Sequence, residues 1–458
     1  MPIPFVEPFR IKVVEPIKQT TRAERESALA GAYNNLFGVP AEDVLIDFLT
    51  DSGTNALSDR QWSAMMAGDE SYAGSRSFAH FESAVQDILG FPHVLPTHQG
   101  RGAEGILFKT LVQPGQFVPN NRHFDTTQGN LLALGAHPVD LAVPEASDPD
   151  RDLPFKGNMD LGKLEAFITG TGAENIPIGM LTVTNNSAAG QPVSMANIKA
   201  TAALYHRYGI PFFFDACRFA ENAWFIKTRE PGYADRSVAE IALEMFSYAD
   251  GCTMSAKKDA IVNIGGFIAC RNEDLKLKLA EHLIVREGFP TYGGLAGRDL
   301  EAVAVGLYEG IAEDYLAYRE RHTAYLGEVL RSAGMSVYLP TGGHAVYVDA
   351  GRTLPHIPVS QFPGVALANM LYLEGGVRTV EIGSLMFAHP DPITREVVNA
   401  PNELVRFAIP RRVYTRSHLD YVGEVARAVM KKADEIRGLK VTWAPELLRH
   451  FMARLDWV

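Results

Sequence analysis

An α/β fold is what this sequence predicts, with a mainly parallel sheet covered by helices and a smaller α+β domain following it. Three observations predict it. From about residue 44 to 270, short β-rich runs alternate with helix-like runs, the pattern of parallel strands joined by crossover helices. Beyond about residue 310 the pattern changes to one long amphipathic helix, then strand pairs and separate helices. The length, 458 residues at 47% hydrophobic and 21% charged, suits one large domain plus a smaller one.

The strands of the first part are Val44–Asp47, His93–Thr97, Ile178–Thr184, Ile210–Asp215 and Gly251–Ser255. Between them, Ser75 caps a helix whose apolar positions Phe78, Phe81, Val85, Ile88 and Leu89 step by three or four, and Gly90 stops it. A second helix runs from Ser194 to Gly209. After the long helix come a strand pair (Met335–Leu339, Ala345–Asp349), a helix from about 362, two more strands and a helix from about 416. The large domain is therefore expected over 46–310 and the small one over 311–458, with residues 1–45 lying against it.

Composition narrows the function. A formal charge of −11 with no Lys/Arg cluster on a readable helix face argues against nucleic acid or an anionic membrane as partner. No stretch approaches the ~20 apolar residues of a membrane span, and Glu7, Arg10 and Lys12 precede any apolar run of signal-peptide length, so a cytoplasmic protein is expected. Cys217, Cys252 and Cys270 form no CxxC pair and have no histidines at zinc-ligand spacing, which indicates neither disulfides nor a structural metal. Small-molecule substrates are left.

Two constellations carry chemistry. The run His98-Gln99-Gly100-Arg101-Gly102-Ala103-Glu104-Gly105 follows a strand, opens a helix and contains GxGxxG. With Asp125 about 20 positions on, Gly100, Gly102 and Gly105 fit a nicotinamide oxidoreductase; with Arg101, the same helix start fits the phosphate of pyridoxal phosphate (PLP). A plain glycine-rich turn is the third reading. The second constellation decides: the apolar strand Pro211-Phe212-Phe213-Phe214 ends at Asp215, and the doublet Lys257-Lys258 follows another strand. PLP chemistry needs both groups, a carboxylate that keeps the pyridine nitrogen protonated and a lysine that condenses with the aldehyde.

With these residues in place, the whole chain resembles the tryptophanase and tyrosine phenol-lyase family of β-eliminating PLP enzymes. The shared motifs include Leu49-Thr50-Asp51-Ser52-Gly53-Thr54, Gly68-Asp69-Glu70, Pro96 through Glu104, Gly190-Gln191-Pro192-Val193-Ser194, Met254-Ser255-Ala256-Lys257-Lys258-Asp259, Tyr292-Gly293-Gly294-Leu295 and Ile409-Pro410-Arg411. The resemblance implies an aspartate-aminotransferase-like PLP fold (fold type I), whose large domain has a mainly parallel seven-stranded sheet, and a homotetramer with active sites shared between subunits. It implies that Gln99, Gly100, Arg101 and Ser255 hold the cofactor phosphate, that Phe124 stacks on the ring, and that Asn186, Asp215 and Arg218 contact its edge. Lys258 becomes the cofactor-bearing lysine and Cα base. Arg406, with Thr50 and Asn186, is implied to hold the substrate carboxylate, Tyr72 to be the general acid, and Glu70 with backbone oxygens of Gly53 and Asn263 to bind a potassium-type cation.

The family offers two reactions: L-tryptophan to indole, pyruvate and ammonia, or, as the alternative, L-tyrosine to phenol, pyruvate and ammonia. Phenol-lyases carry an arginine where this chain has Ile382, and a threonine and a phenylalanine at the positions of Asp125 and His450. Ile382 cannot stabilise a phenolate, and Asp125 can accept a hydrogen bond from an indole N–H, so tryptophan is the expected substrate. The departures from the family are Cys217 in place of a small hydroxyl residue, Ala189 in place of glycine, Asn130 where histidine is frequent, and the phenol-lyase-like Asn263. Cys217 lies next to Asp215, where thiol oxidation could bear on activity.

Overall fold

The alternating run builds a five-stranded sheet in the order His93–Thr97, Gly266–Cys270, Gly251–Ser255, Phe212–Asp215, Gly179–Thr182. This is seen in a computed structural model that describes residues 5–390, 397–446 and 448–458. Gly266–Cys270 runs antiparallel to both neighbours, and the other adjacent pairs are parallel. The strands read as nearly continuous apolar runs because both faces are covered: Phe212 and Phe214 enter one buried cluster, and Phe213 enters another with Leu95 and Ile268.

Where the resemblance implies one seven-stranded sheet, the remaining two strands, Phe117–Asn120 and His137–Asp140, form a separate parallel pair. The physical reason lies at Asn121. Its side-chain oxygen accepts from the Thr182 N–H at 2.9 Å and its amide donates to the Thr182 carbonyl at 3.0 Å. A side chain thus stands in for the backbone ladder that would have joined the pair to the sheet.

The helices start and stop where side chains satisfy their ends. Arg76–Leu89 is capped by the Ser75 hydroxyl, which accepts from Phe78 N–H at 2.9 Å, and ends at Gly90 with φ +69°. Met195–Arg207 is capped in the same way by Ser194.

The chain forms two compact units: Ser52–Ala146 with Leu153–Arg319, which holds this sheet, and Met1–Asp51 with Ser147–Asp152 and Glu320–Val458. The second contains a three-stranded antiparallel sheet, Val380–Ile382, Leu404–Ala408 and Ala345–Asp349, packed against the helices Pro363–Gly375 and Arg416–Met430. Two expectations change here. Ile46–Asp47, taken as part of the parallel alternation, instead pairs with Val377–Arg378 in this unit, where Arg378 clamps the Asp47 carboxylate through Nε (3.0 Å) and Nη2 (2.5 Å). Met335–Leu339 forms no strand; it makes a single bridge, Val337 to Val348. Among the described residues, no helix is long and apolar enough to cross a membrane.

Candidate active site

At the C-terminal edge of the five-stranded sheet, three turns converge through close backbone contacts. The helix Gly100–Leu111 begins with no capping side chain on its first N–H groups, so its positive end is open to an anion. A methyl on Gly100 would lie 2.6 Å from the Ser255 Cβ, and one on Gly266 would lie 2.7 Å from the Gly100 nitrogen. Glycine is required because helix start and strand end touch at backbone distance. The turn after Ser255 is tied back by Gly265 N–H donating to the His98 carbonyl at 2.8 Å. Gln99, Gly100, Arg101 and Ser255 are thereby gathered at one place, and an uncapped helix terminus, a hydroxyl and a guanidinium suit a phosphate.

The lysine doublet divides its tasks. Lys257 donates to the Gln99 side-chain oxygen at 2.9 Å, and burial, then the charges of Lys258 and Arg101, push its pKa down to about 8. The charge of Lys258 also opposes the rise in pKa of both Glu104 and Cys217, the same groups whose pKa Asp215 raises. Asp215 is buried at its strand end, in register with Thr253 of the strand that leads to Lys258.

Glu104 has no assigned role in the sequence reading although it stands within a quoted motif. It is buried and accepts from the Thr127 hydroxyl at 2.7 Å, while its second oxygen has no partner. Burial, then the Asp215 charge, pushes its pKa up to about 8, with Asp125 adding to the rise. The signal that would have found it is spacing: the fifth residue of the helix, four after Gly100, lies on the same face as its first.

Around these groups, Asn186 is buried in the turn Asn186–Ala188, Arg218 is buried with Nη1 3.7 Å from the Cys217 sulfur, and Phe124 is the half-buried N-cap of Asp125–Ala133. Asp125 itself is buried at that helix start, its carboxylate accepting from Thr126 N–H at 2.6 Å. Ala189 takes φ +56°, the left-handed conformation that favours the glycine it replaces. Cys217 is buried, and burial with the Asp215 charge raises its pKa. That opposes the thiolate that oxidation requires.

The other unit holds Thr50, Arg406, Ile382 and His450. Arg406 lies on Leu404–Ala408 opposite Val380 and donates to the Leu49 carbonyl at 3.0 Å, which places it beside Thr50. Ile382, on the adjacent strand, is buried. His450 is buried against Phe451 (ring centroids 4.0 Å) and meets Phe37 edge-on at 5.9 Å. Phe37 also meets Phe451 at 4.9 Å; it was missed because 413 positions separate it from His450 in the sequence.

Tyr72 is 70% exposed and packs on Tyr292 (5.2 Å) and Phe289 (5.7 Å), with its pKa raised by the hydrogen bond to Tyr292. The Gly53 carbonyl accepts from the Asn263 amide at 3.1 Å, whereas Glu70 pairs with Arg298 at 2.9 Å and accepts from Gly297 N–H at 3.3 Å. Among the described residues no group of three or more His, Cys, Asp or Glu has metal-binding geometry.

The family model for β-eliminating lyases matches residues 47–425. The chain is 55% identical to a tryptophanase of Salinibacter ruber, over 98% of this chain and 95% of the relative. It is 51% identical to a tyrosine phenol-lyase of Symbiobacterium, over 99% of each. Among solved structures it is similar in fold to a serine palmitoyltransferase of Sphingomonas wittichii, with TM-score 0.58 at 15% identity over 90% of this chain and 97% of that one.

Proposed function

This chain belongs to the β-eliminating lyase family, and from that premise we propose that it cleaves L-tryptophan to indole, pyruvate and ammonia with PLP as cofactor. The observation that carries the reading is Asp215, buried at its strand end in register with Thr253 of the strand that leads to Lys258, beside an open helix terminus. When bound, PLP supplies an aldehyde that captures the substrate amine and a ring that stores the electrons released at Cα. In this reading Gln99, Gly100, Arg101 and Ser255 hold the phosphate, Phe124 lies on the ring, and Asn186, Asp215 and Arg218 bind its edge. Asp215 keeps the ring nitrogen protonated.

Arg406 receives the substrate carboxylate as a two-point clamp, with Thr50 and Asn186 assisting. The Lys258 amine takes the Cα proton, and the Tyr72 hydroxyl delivers a proton to C3 of the indole, without which indole leaves poorly. Asp125 accepts the indole N–H, and His450 and Ile382 line the leaving-group end. The exposure of Tyr72 supports a homotetramer in which it serves a neighbouring subunit's site. Potassium is proposed at Glu70 and the carbonyls of Gly53 and Asn263, and the reaction is placed in the cytoplasm.

Tryptophan is favoured over tyrosine by Ile382, an apolar side chain where phenolate release calls for a cation. Incubation of the purified protein with each amino acid, followed by assay of indole and phenol, tests this. Indole from tryptophan in large excess over phenol from tyrosine is expected; the reverse ratio overturns it.

A further inference from the structure

A small cavity within the second unit is lined by Phe37, Asn369, Thr379, Glu381, Leu385 and His450, among others. The cavity leaves about 30 Å³ for the centre of a water molecule, room for about two waters. Three of its polar side chains are almost fully buried with an atom that has no partner: Asn369 Oδ1, Thr379 Oγ1 and Glu381 Oε2. Two of the three are fixed at their other polar atom. The Asn369 amide donates to the Asn34 carbonyl at 2.9 Å, and Glu381 Oε1 accepts from Leu385 N–H at 2.9 Å. Unsatisfied buried polar atoms around a space of this size, two of them on side chains anchored at the other end, mark a hydration site and not a dry void.

We infer that ordered water in this cavity bonds Glu381, Asn369 and Thr379 and hands the contact on to the imidazole of His450, which makes Glu381 a positioning residue for the leaving-group end of the substrate. The function assigned to Glu381 rests on the reading of His450 as a leaving-group residue for tryptophan.

The surroundings of Glu381 decide which way the hydrogen bonds run. Glu403, which accepts from Ser384 N–H, acts on it, with Asp349 acting on Glu403, and the Arg449 guanidinium is committed to the carbonyls of Leu385 (2.7 Å) and Ser384 (2.5 Å) in the adjoining turn. Burial, then the Glu403 charge, pushes the Glu381 pKa up to about 8. As a neutral acid it donates through Oε2, and the water chain presents a donor to His450; as a carboxylate it only accepts, and the chain reverses. The imidazole tautomer beside the leaving group is thereby tied to the proton on Glu381.

Two measurements test this. In a high-resolution crystal structure of the holoenzyme, water density linking Glu381 Oε2, Thr379 and the His450 ring is expected; a cavity without ordered water overturns the inference. In kinetics, Glu381→Ala is expected to lower kcat/KM for tryptophan about tenfold, with cofactor absorbance and retention unchanged. Glu381→Ala added to His450→Phe should cost no more than His450→Phe alone. Glu381→Gln, which keeps shape and a donor, should retain most of the rate and lose the limb of the pH profile near 8. Additive losses, or an unchanged profile in the Gln variant, overturn the inference, and the Gln variant serves if Ala fails to fold. Wild-type protein that releases no indole would sink the tryptophan reading alone, since the water bridge is still judged from the density.

Discussion

Two buried glutamates, one in each unit, are pushed to the same pKa of about 8 by different neighbours. Glu104 feels burial first and then Asp215, and Lys258 pulls it back; Glu381 feels burial first and then Glu403, with backbone N–H groups pulling it back. The first is coupled to the groups that would meet a cofactor, and the second to the fold of a short turn. The cofactor edge is accordingly a place where charge is exchanged with a ligand, while the pocket around His450 is one where charge is settled within the chain.

The largest effect should come from the cofactor edge. Lys258→Ala is expected to abolish turnover and to leave bound PLP non-covalent, because the aldehyde partner and the Cα base are lost together. Borohydride reduction followed by mass measurement checks it: covalent cofactor in the mutant would move the role to Lys257, whose amine is engaged with Gln99.

Tyr72→Phe should remove most indole release and leave Cα deprotonation intact, since only the hydroxyl is lost. Exchange of the Cα hydrogen with deuterium from solvent, measured beside indole formation, separates the two steps. Loss of exchange would place Tyr72 in another role.

How legible each region is in the sequence follows from how it is built. The cofactor edge is made of short contiguous runs at strand ends, so His98–Gly105, Asp215 and Ser255–Lys258 show both their residue types and their place on a strand or helix start. The His450 pocket draws on Phe37, Asn369, Glu381 and His450, which only the fold brings together. Phe37 and Glu381 therefore carry no local signal, and resemblance alone pointed to His450. Ile46–Asp47 was assigned to the wrong sheet because so short a strand run looks alike in either; Arg378, which clamps Asp47, is 331 positions away. No linker was readable near residue 310 because the last passage of the chain between the units falls within the helix Glu313–Ser332. Asn121, whose side chain replaces a ladder, cannot be told from any other loop asparagine.

Asp125→Ala sharpens the comparison within the leaving-group end. With tryptophan, an indole N–H deprived of its acceptor costs about 1–3 kcal/mol, so indole release should fall roughly tenfold or more. With an S-alkyl cysteine, whose leaving group needs no such bond, Lys258, Asp215 and Arg406 should sustain elimination near the wild-type rate. Equal losses on both substrates would mean that Asp125 supports the helix start and Phe124 instead.

A smaller effect is expected at the proposed cation site. Replacing potassium by sodium should lower activity and PLP retention severalfold, because oxygen ligands spaced for the larger ion close poorly on the smaller one. Equal activity and retention in both salts would remove the site, leaving Glu70 as the partner of Arg298 alone.

The smallest effect is on stability, and it distinguishes the two glutamates. An ordinary glutamate in the unfolded chain ionises near pH 4.3, whereas in the folded protein Glu104 and Glu381 hold their protons to about pH 8. Between those values the unfolded state has lost a proton that the folded state keeps, so the stabilisation is complete below the lower value and is lost as pH rises through the upper one. Glutamine at either position cannot ionise. The melting temperature of Glu104→Gln or Glu381→Gln relative to wild type should therefore climb between pH 5 and pH 8, by roughly 1–3 °C for a chain of this size. Adding PLP should break the symmetry: it changes the charges on Lys258 and around Asp215, so the slope at Glu104 should differ between apo and holo protein, while the slope at Glu381, set by Glu403, should not move. Differential scanning fluorimetry of both variants and wild type, with and without PLP across that range, gives the answer. A PLP-dependent slope at Glu381 would mean that its pocket senses the cofactor after all.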